Sequence, residues 1–86
     1  MKNKVLVKLY IPELSEMFDV FLPVNEFMWK IKKIIVKSVS DLSNYPLDID
    51  GKYILVNDEN GTIYDDNEIL LNTDIRNTTK LLLITV

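Results

Sequence analysis

Phe18-Asp19-Val20-Phe21-Leu22-Pro23-Val24-Asn25-Glu26-Phe27-Met28 is the stretch in which the apolar period of this chain changes. Phe18, Val20 and Leu22 alternate with Asp19 and Phe21, the period of two that marks a half-buried strand. Pro23 ends the run because it has no N–H to offer a ladder. Beyond it the period becomes three and four. Met28, Ile31, Ile35, Val39 and Leu42 share one face of a helix, which Phe27 and Ile34 widen on one side. Asn25 is the expected N-cap, and Glu26 suits the positive end of the helix dipole. Lys30, Lys33 and Lys37 form a solvated stripe opposite, and the helix is expected to stop at Asp41 or Leu42, before Asn44-Tyr45-Pro46.

Upstream, Val5, Val7, Leu9 and Ile11 alternate with Lys4, Leu6, Lys8 and Tyr10, and Pro12 to Glu16 form a turn, so the first two strands read as a hairpin. Downstream, residues 44–51 form a loop closed by Gly51, and Tyr53-Ile54-Leu55-Val56 is a third strand. Asp58-Glu59-Asn60-Gly61 is a strong turn signal, with Thr62-Ile63-Tyr64 as a short fourth strand after it. The polar stretch 65–79 keeps Ile69, Leu70, Leu71 and Ile75, which predicts a single helical turn pinned to the core. Lys80 to Val86 is a last apolar strand without alternation, as expected of a central one. The order, strand-strand-helix-strand-strand-short helix-strand, predicts an α+β fold with one long helix on one face of a mixed sheet. There is no repeat, linker or low-complexity segment, so residues 1–86 read as one domain.

The totals narrow the function. A chain of 86 residues buries only about 60–65% of its unfolded surface, which leaves a thin stability margin. Cysteine and histidine are both absent, which removes disulfides, thiolate metal sites, and the usual acid-base group near neutral pH. No nucleophile elbow or Gly-rich phosphate loop is present, so the chain reads as a non-enzyme that needs no cofactor or metal. Net charge is −3, and an acidic chain is a poor ligand for nucleic acid. The charge is uneven: residues 1–43 carry +2 and residues 44–86 carry −5. The start, MKNKVLVKLYIPELSE, is interrupted by Lys8 and Pro12 and does not read as a signal peptide. No run approaches a membrane span, so a cytoplasmic location without membrane insertion is expected. Alanine and glutamine are missing while Ile, Asn and Lys abound, a bias that hints at a low-GC bacterium.

The order of elements in this length resembles the β-grasp, ubiquitin-like fold. Ile69-Leu70-Leu71-Asn72-Thr73-Asp74-Ile75-Arg76-Asn77-Thr78-Thr79-Lys80-Leu81-Leu82-Leu83 looks like the end of such domains: an apolar residue, a polar turn, an Ile, a tight turn, then Leu-x-Leu. Two local features resemble a narrower group, the YukD/EsaB proteins of Gram-positive type VII (WXG-type) secretion. They are Phe18-Asp19-Val20-Phe21-Leu22-Pro23 leading into the helix, and Tyr53-Ile54-Leu55-Val56-Asn57 followed by a polar turn. The resemblance implies a sheet order of 2-1-5-3-4 and a cytosolic accessory role, with a membrane or ATPase component of the secretion machinery as protein partner. A β-grasp domain serving an unrelated membrane complex or mobile element stays open beside it. Ubiquitin and the sulfur carriers end in Gly-Gly, whereas this sequence ends Leu83-Ile84-Thr85-Val86, so a non-conjugating module is expected.

Three candidate surfaces follow. With Val5, Val7, Leu9, Ile54, Val56, Leu81 and Leu83 facing the helix, Leu6, Tyr53, Leu55, Leu82 and Ile84 face away from it and form an apolar patch of the size that marks a protein interface. The bland alternative is that Lys8, Tyr10 and Lys80 fold their stems over that patch. The acidic residues Asp58, Glu59, Asp65, Asp66 and Glu68 read first as a solvated turn, since they lack calcium-loop spacing. Their alternative is a PB1-like scaffold, in which the acidic turn docks on Lys8, Lys4 and Lys32 of another copy and makes head-to-tail chains. On this point the expected state is a monomer or a weak self-associate. Trp29 and Val36 lie at the rim of the helix face, as a core edge or, alternatively, an interface anchor.

Overall fold

The computed structural model describes residues 3–44 and 46–86; Met1, Lys2 and Tyr45, the last within the expected 44–51 loop, lie outside the described residues. Strand β1 (Lys4–Ile11) and strand β2 (Glu16–Pro23) pair antiparallel, with Leu6 opposite Phe21 and Val7 opposite Val20. Their four-residue connection closes through Ser15 at φ 53°, the left-handed geometry a tight hairpin loop needs. Strand β4 (Lys80–Thr85) lies parallel to β1 and strand β3 (Tyr53–Asn57) antiparallel to β4, giving the sheet order β2-β1-β4-β3. Helix α1 (Met28–Ser43) covers one face. This is the α+β β-grasp arrangement the sequence predicts, with one difference of detail. The expected fourth strand at 62–64 is reduced to a single bridge between Ile63 and Val56.

The helix face is as the spacing predicts at its centre and differs at both ends. Met28, Ile31, Ile35 and Val39 are buried with Val7, Leu9, Leu81 and Leu83. Val36 is buried with them rather than lying at a rim, while Trp29 is 46% exposed. Leu42, in the last turn, is 63% exposed and lines an open groove between α1 and β2. At the start, Asn25 is not the cap: α1 begins at Met28 after an extended Phe27 with no side-chain cap. Its first amides are taken from a distance. The Met28 N–H donates to the Glu68 carbonyl at 2.8 Å and the Trp29 N–H to the Asp66 carbonyl at 3.3 Å, so a remote segment satisfies the orphan donors of the first turn. Phe27, bridged to Ile69, is left exposed.

Strand β3 corrects the sequence reading by one residue. Leu55 is fully buried and Tyr53 packs against the core, whereas Ile54 and Val56 are only half-buried. Leu55 stands opposite Leu83, and Ile54 opposite Ile84; directly opposed residues share a face, so the parity of β3 follows from β4. Two polar groups hold that parity. Tyr53 donates its hydroxyl to the Asp48 carbonyl at 2.7 Å. The buried Asn57 accepts the Glu59 N–H at 2.8 Å and donates to the Tyr64 hydroxyl at 3.1 Å. Tyr64 in turn donates to Asp74, whose other oxygen accepts from Asn60 at 2.9 Å. Burial first, and the hydrogen bond to Asp74 second, push the Tyr64 phenol above its usual range. The Tyr64 hydroxyl, then Asn60, hold the Asp74 carboxyl below its own.

Two further segments finish the core. The expected helical turn is a 3₁₀ turn at Leu70–Asn72, with Leu70 and Ile75 buried and Leu71 exposed. Gly51 sits against the ring of Tyr53, where an added Cβ would lie 3.0 Å from the ring and from the Asp48 carbonyl. A side chain there would require the ring or the loop to give by a few tenths of an ångström.

Candidate functional site: the open face of the sheet

The sheet face turned away from α1 is built by the residues that alternate with the core. Its central row crosses the whole sheet: Met17 stands opposite Tyr10, Tyr10 beside Leu82, Leu82 opposite Val56, and Val56 bridges to Ile63. Ile63 is 65% exposed. One step along, Ile84, 39% exposed, stands opposite Ile54. On the other side of the row, Lys8 lies between Asp19 and Lys80, and beyond it Leu6 faces Phe21. The face is therefore an apolar band flanked by a charged row.

Of the five residues the sequence places here, Leu6, Leu82 and Ile84 are on this face, while Tyr53 and Leu55 are not. Their places are taken by Ile54 and Val56, and Met17, Tyr10 and Ile63 extend the band. No local signal separates these sets, since Tyr53 to Val56 are all apolar; only the pairing with β4 does. The Lys8 stem does not cover the band. Lys8 directs its ammonium to Asp19 at 3.2 Å, toward β2 and away from β3 and β4.

The alternative interface is split and partly used within the chain. Asp58 and Glu59 are exposed in the turn after β3. Asp65 and Glu68 are tied locally: the Asp65 N–H donates to the Glu68 carboxylate at 3.1 Å, and the Asn67 N–H to the Asp65 carboxylate at 2.9 Å. Asp66 pairs with Lys32 at 2.6 Å, and the same ammonium donates to the Tyr53 carbonyl at 3.0 Å. Lys32 thus ties α1 to β3 and to the segment that caps it. Lys8, paired with Asp19, lies on the sheet face and not with these acids. Among the described residues, no group of three or more acidic side chains is placed to hold a metal ion, and no helix is long and apolar enough to cross a membrane.

The chain has a ubiquitin-like β-grasp fold with an apolar band on the open face of its sheet. No protein-family model matches the chain and no curated protein matches it in sequence, but solved structures match over nearly its whole length. The UBL domain of Plasmodium falciparum Dsk2 has a TM-score of 0.73 at 16% identity, covering 96% of this chain and 99% of that one. The EccD5 ubiquitin-like domain from Mycobacterium xenopi has 0.68 at 17% identity, covering 96% and 94%. A chain of the MycP5-free ESX-5 inner membrane complex has 0.69 at 17% identity; the match covers 98% of this chain and 21% of that one. Identities this low establish the shared fold.

Proposed function

We propose that this chain is a cytoplasmic protein-binding module that docks a membrane or ATPase component of a type VII, WXG-type secretion system through the open face of its sheet. The observation that carries the docking surface is the apolar row Met17, Tyr10, Leu82, Val56 and Ile63, which no element among the described residues covers. A contiguous apolar band rimmed by charge is the anatomy of a protein interface. The secretion system is supported by the likeness to the EccD5 domain and the ESX-5 complex chain, and by the YukD/EsaB-like segments 18–23 and 53–57. Tyr10 and Leu82, at the centre of the row, are the expected anchors.

Photo-crosslinking in the native host tests both parts. A photoreactive residue replacing Ile63 should trap a membrane or ATPase component of that system, and the same residue at Lys37, on the helix stripe, should not. Trapping a component of a different complex would overturn the secretion assignment but keep the surface. Trapping from Lys37 alone would overturn the surface.

A further inference from the structure

Two large apolar residues that the core does not use line one groove. Trp29 stands in the first turn of α1 and Ile49, 47% exposed, in the loop before β3. The groove between them is open, holds about 410 Å³, and is also lined by the buried Val36 and by Tyr53. Its walls are tied together. The Tyr53 hydroxyl donates to the Asp48 carbonyl at 2.7 Å, and the Lys32 ammonium donates to the Tyr53 carbonyl at 3.0 Å. Loop, strand and helix are thereby fixed to one another, so a ligand would find the groove already formed.

The charged lining is unbalanced. Lys32, Lys33 and Lys52 face Asp50 and Asp66 across it. Lys32 is spent on Asp66 at 2.6 Å, and Lys33 stands 4.0 Å from Asp50. Lys52 is exposed and its ammonium has no partner among the described residues. The Trp29 indole N–H has none either. Asp48 does not line the groove, and its carboxylate accepts the Asp50 N–H at 2.9 Å. In a chain of net charge −3, the groove thus keeps one uncompensated cation beside an exposed indole.

We propose that this groove binds an acidic segment of a partner protein, which lays one large apolar side chain against Trp29 and Ile49 and sets a carboxylate on Lys52. The apolar wall calls for an apolar side chain, because covering Trp29 and Ile49 removes their surface from water, and an exposed Trp is a common interface anchor. The open side calls for a polypeptide. A small molecule is held by burying about 70–90% of its surface, which an open groove does not do, whereas a segment adds contacts on either side of its anchor. A basic segment fits poorly, since its cation would meet Lys52 while Asp66 and Asp50 already face lysines. The groove shares no residue with the apolar sheet row and does not rest on the reading given to that face.

The test is a fluorescence titration, since Trp29 is the one tryptophan in the sequence and its emission reports on this groove. Three synthetic peptides with blocked ends serve as probes: a phenylalanine flanked by glutamates, the same flanked by lysines, and the glutamate form with alanine in place of phenylalanine. The first should shift Trp29 emission to the blue and saturate. The lysine form should bind about tenfold more weakly, and so should the alanine form, which lacks the anchor. Lys52→Glu should weaken the first peptide by about tenfold. Lys37→Glu, the same charge change outside the groove, should weaken it by less than about twofold at physiological salt, where screening acts within about 8 Å. The absence of a saturable shift, or equal binding of the lysine or the alanine form, would each overturn the proposal without any variant of the protein. Equal effects of Lys52→Glu and Lys37→Glu would also overturn it, and tighter binding of the lysine form would assign the groove to a basic segment instead.

Discussion

Val56 and Leu82 stand directly opposite one another on antiparallel strands, both turned away from the helix, while their neighbours Leu55 and Leu83 make the matching pair inside the core. That one relationship sets which residues of β3 stabilise the fold and which are free for a partner.

Leu55→Ala should therefore destabilise the domain by about 2–5 kcal/mol, the cost of a cavity in a close-packed core. Val56→Ala should cost less than about 1 kcal/mol, as for a residue away from the core. Urea melts of the two variants measure the difference, and a reversed order would restore the other register.

Ile35→Ala should cost about 2–5 kcal/mol. Ile35 is fully buried at the middle of α1 with Leu9 and Leu81 also at zero exposure. A loss under about 1 kcal/mol in the same melts would mean that α1 packs through a different face.

The Tyr64–Asp74 pair should make stability depend on pH at both extremes. The Asp74 carboxyl is lowered on folding, so its contribution is present above the unfolded value and is lost as pH falls below about 4. The Tyr64 phenol is raised, so its contribution is intact at neutral pH and is lost as pH climbs past about 10. Tyr64→Phe should flatten both limbs of a stability profile measured by urea melts. A profile identical to that of the wild type would show that the pair is not coupled to folding.

The head-to-tail scaffold makes a separate prediction. If the exposed Asp58 and Glu59 dock on Lys8 or Lys4 of another copy, apparent mass should rise with concentration at low salt, where exposed charge pairs are least screened. Because Lys8 is held by Asp19 and Lys32 by Asp66, the expected result in sedimentation is a concentration-independent monomer.

The parts of the fold legible in the sequence are those where period and burial are local. The hairpin is set by two strict alternations, and the helix core by Met28, Ile31, Ile35 and Val39. What was not legible depends on distant partners. The start of α1 is decided by the Asp66 and Glu68 carbonyls, some forty residues downstream, and Asn25 gives no sign of that. The face of Tyr53-Ile54-Leu55-Val56 is decided by Leu83 and Ile84 across the ladder, and four apolar residues in a row carry no parity of their own. Thr62 to Tyr64 have strand-like composition, but Tyr64 turns inward to reach Asn57 and Asp74 after one bridge. The candidate site was half legible for the same reason: β1 and β4 place Leu6, Leu82 and Ile84 correctly, and β3 reverses its pair.

The most direct test of the open sheet face is quantitative capture of the partner from the native host by wild type, Leu82→Asp and Lys33→Glu, with stability measured alongside. Leu82 stands at the centre of the apolar row and Lys33 on the solvated helix stripe. Leu82→Asp should weaken capture by about 2 kcal/mol or more, the size of an interface anchor, while Lys33→Glu leaves it unchanged and all three proteins remain folded. Loss of capture with Lys33→Glu and full capture with Leu82→Asp would place the binding surface on the helix and contradict the account.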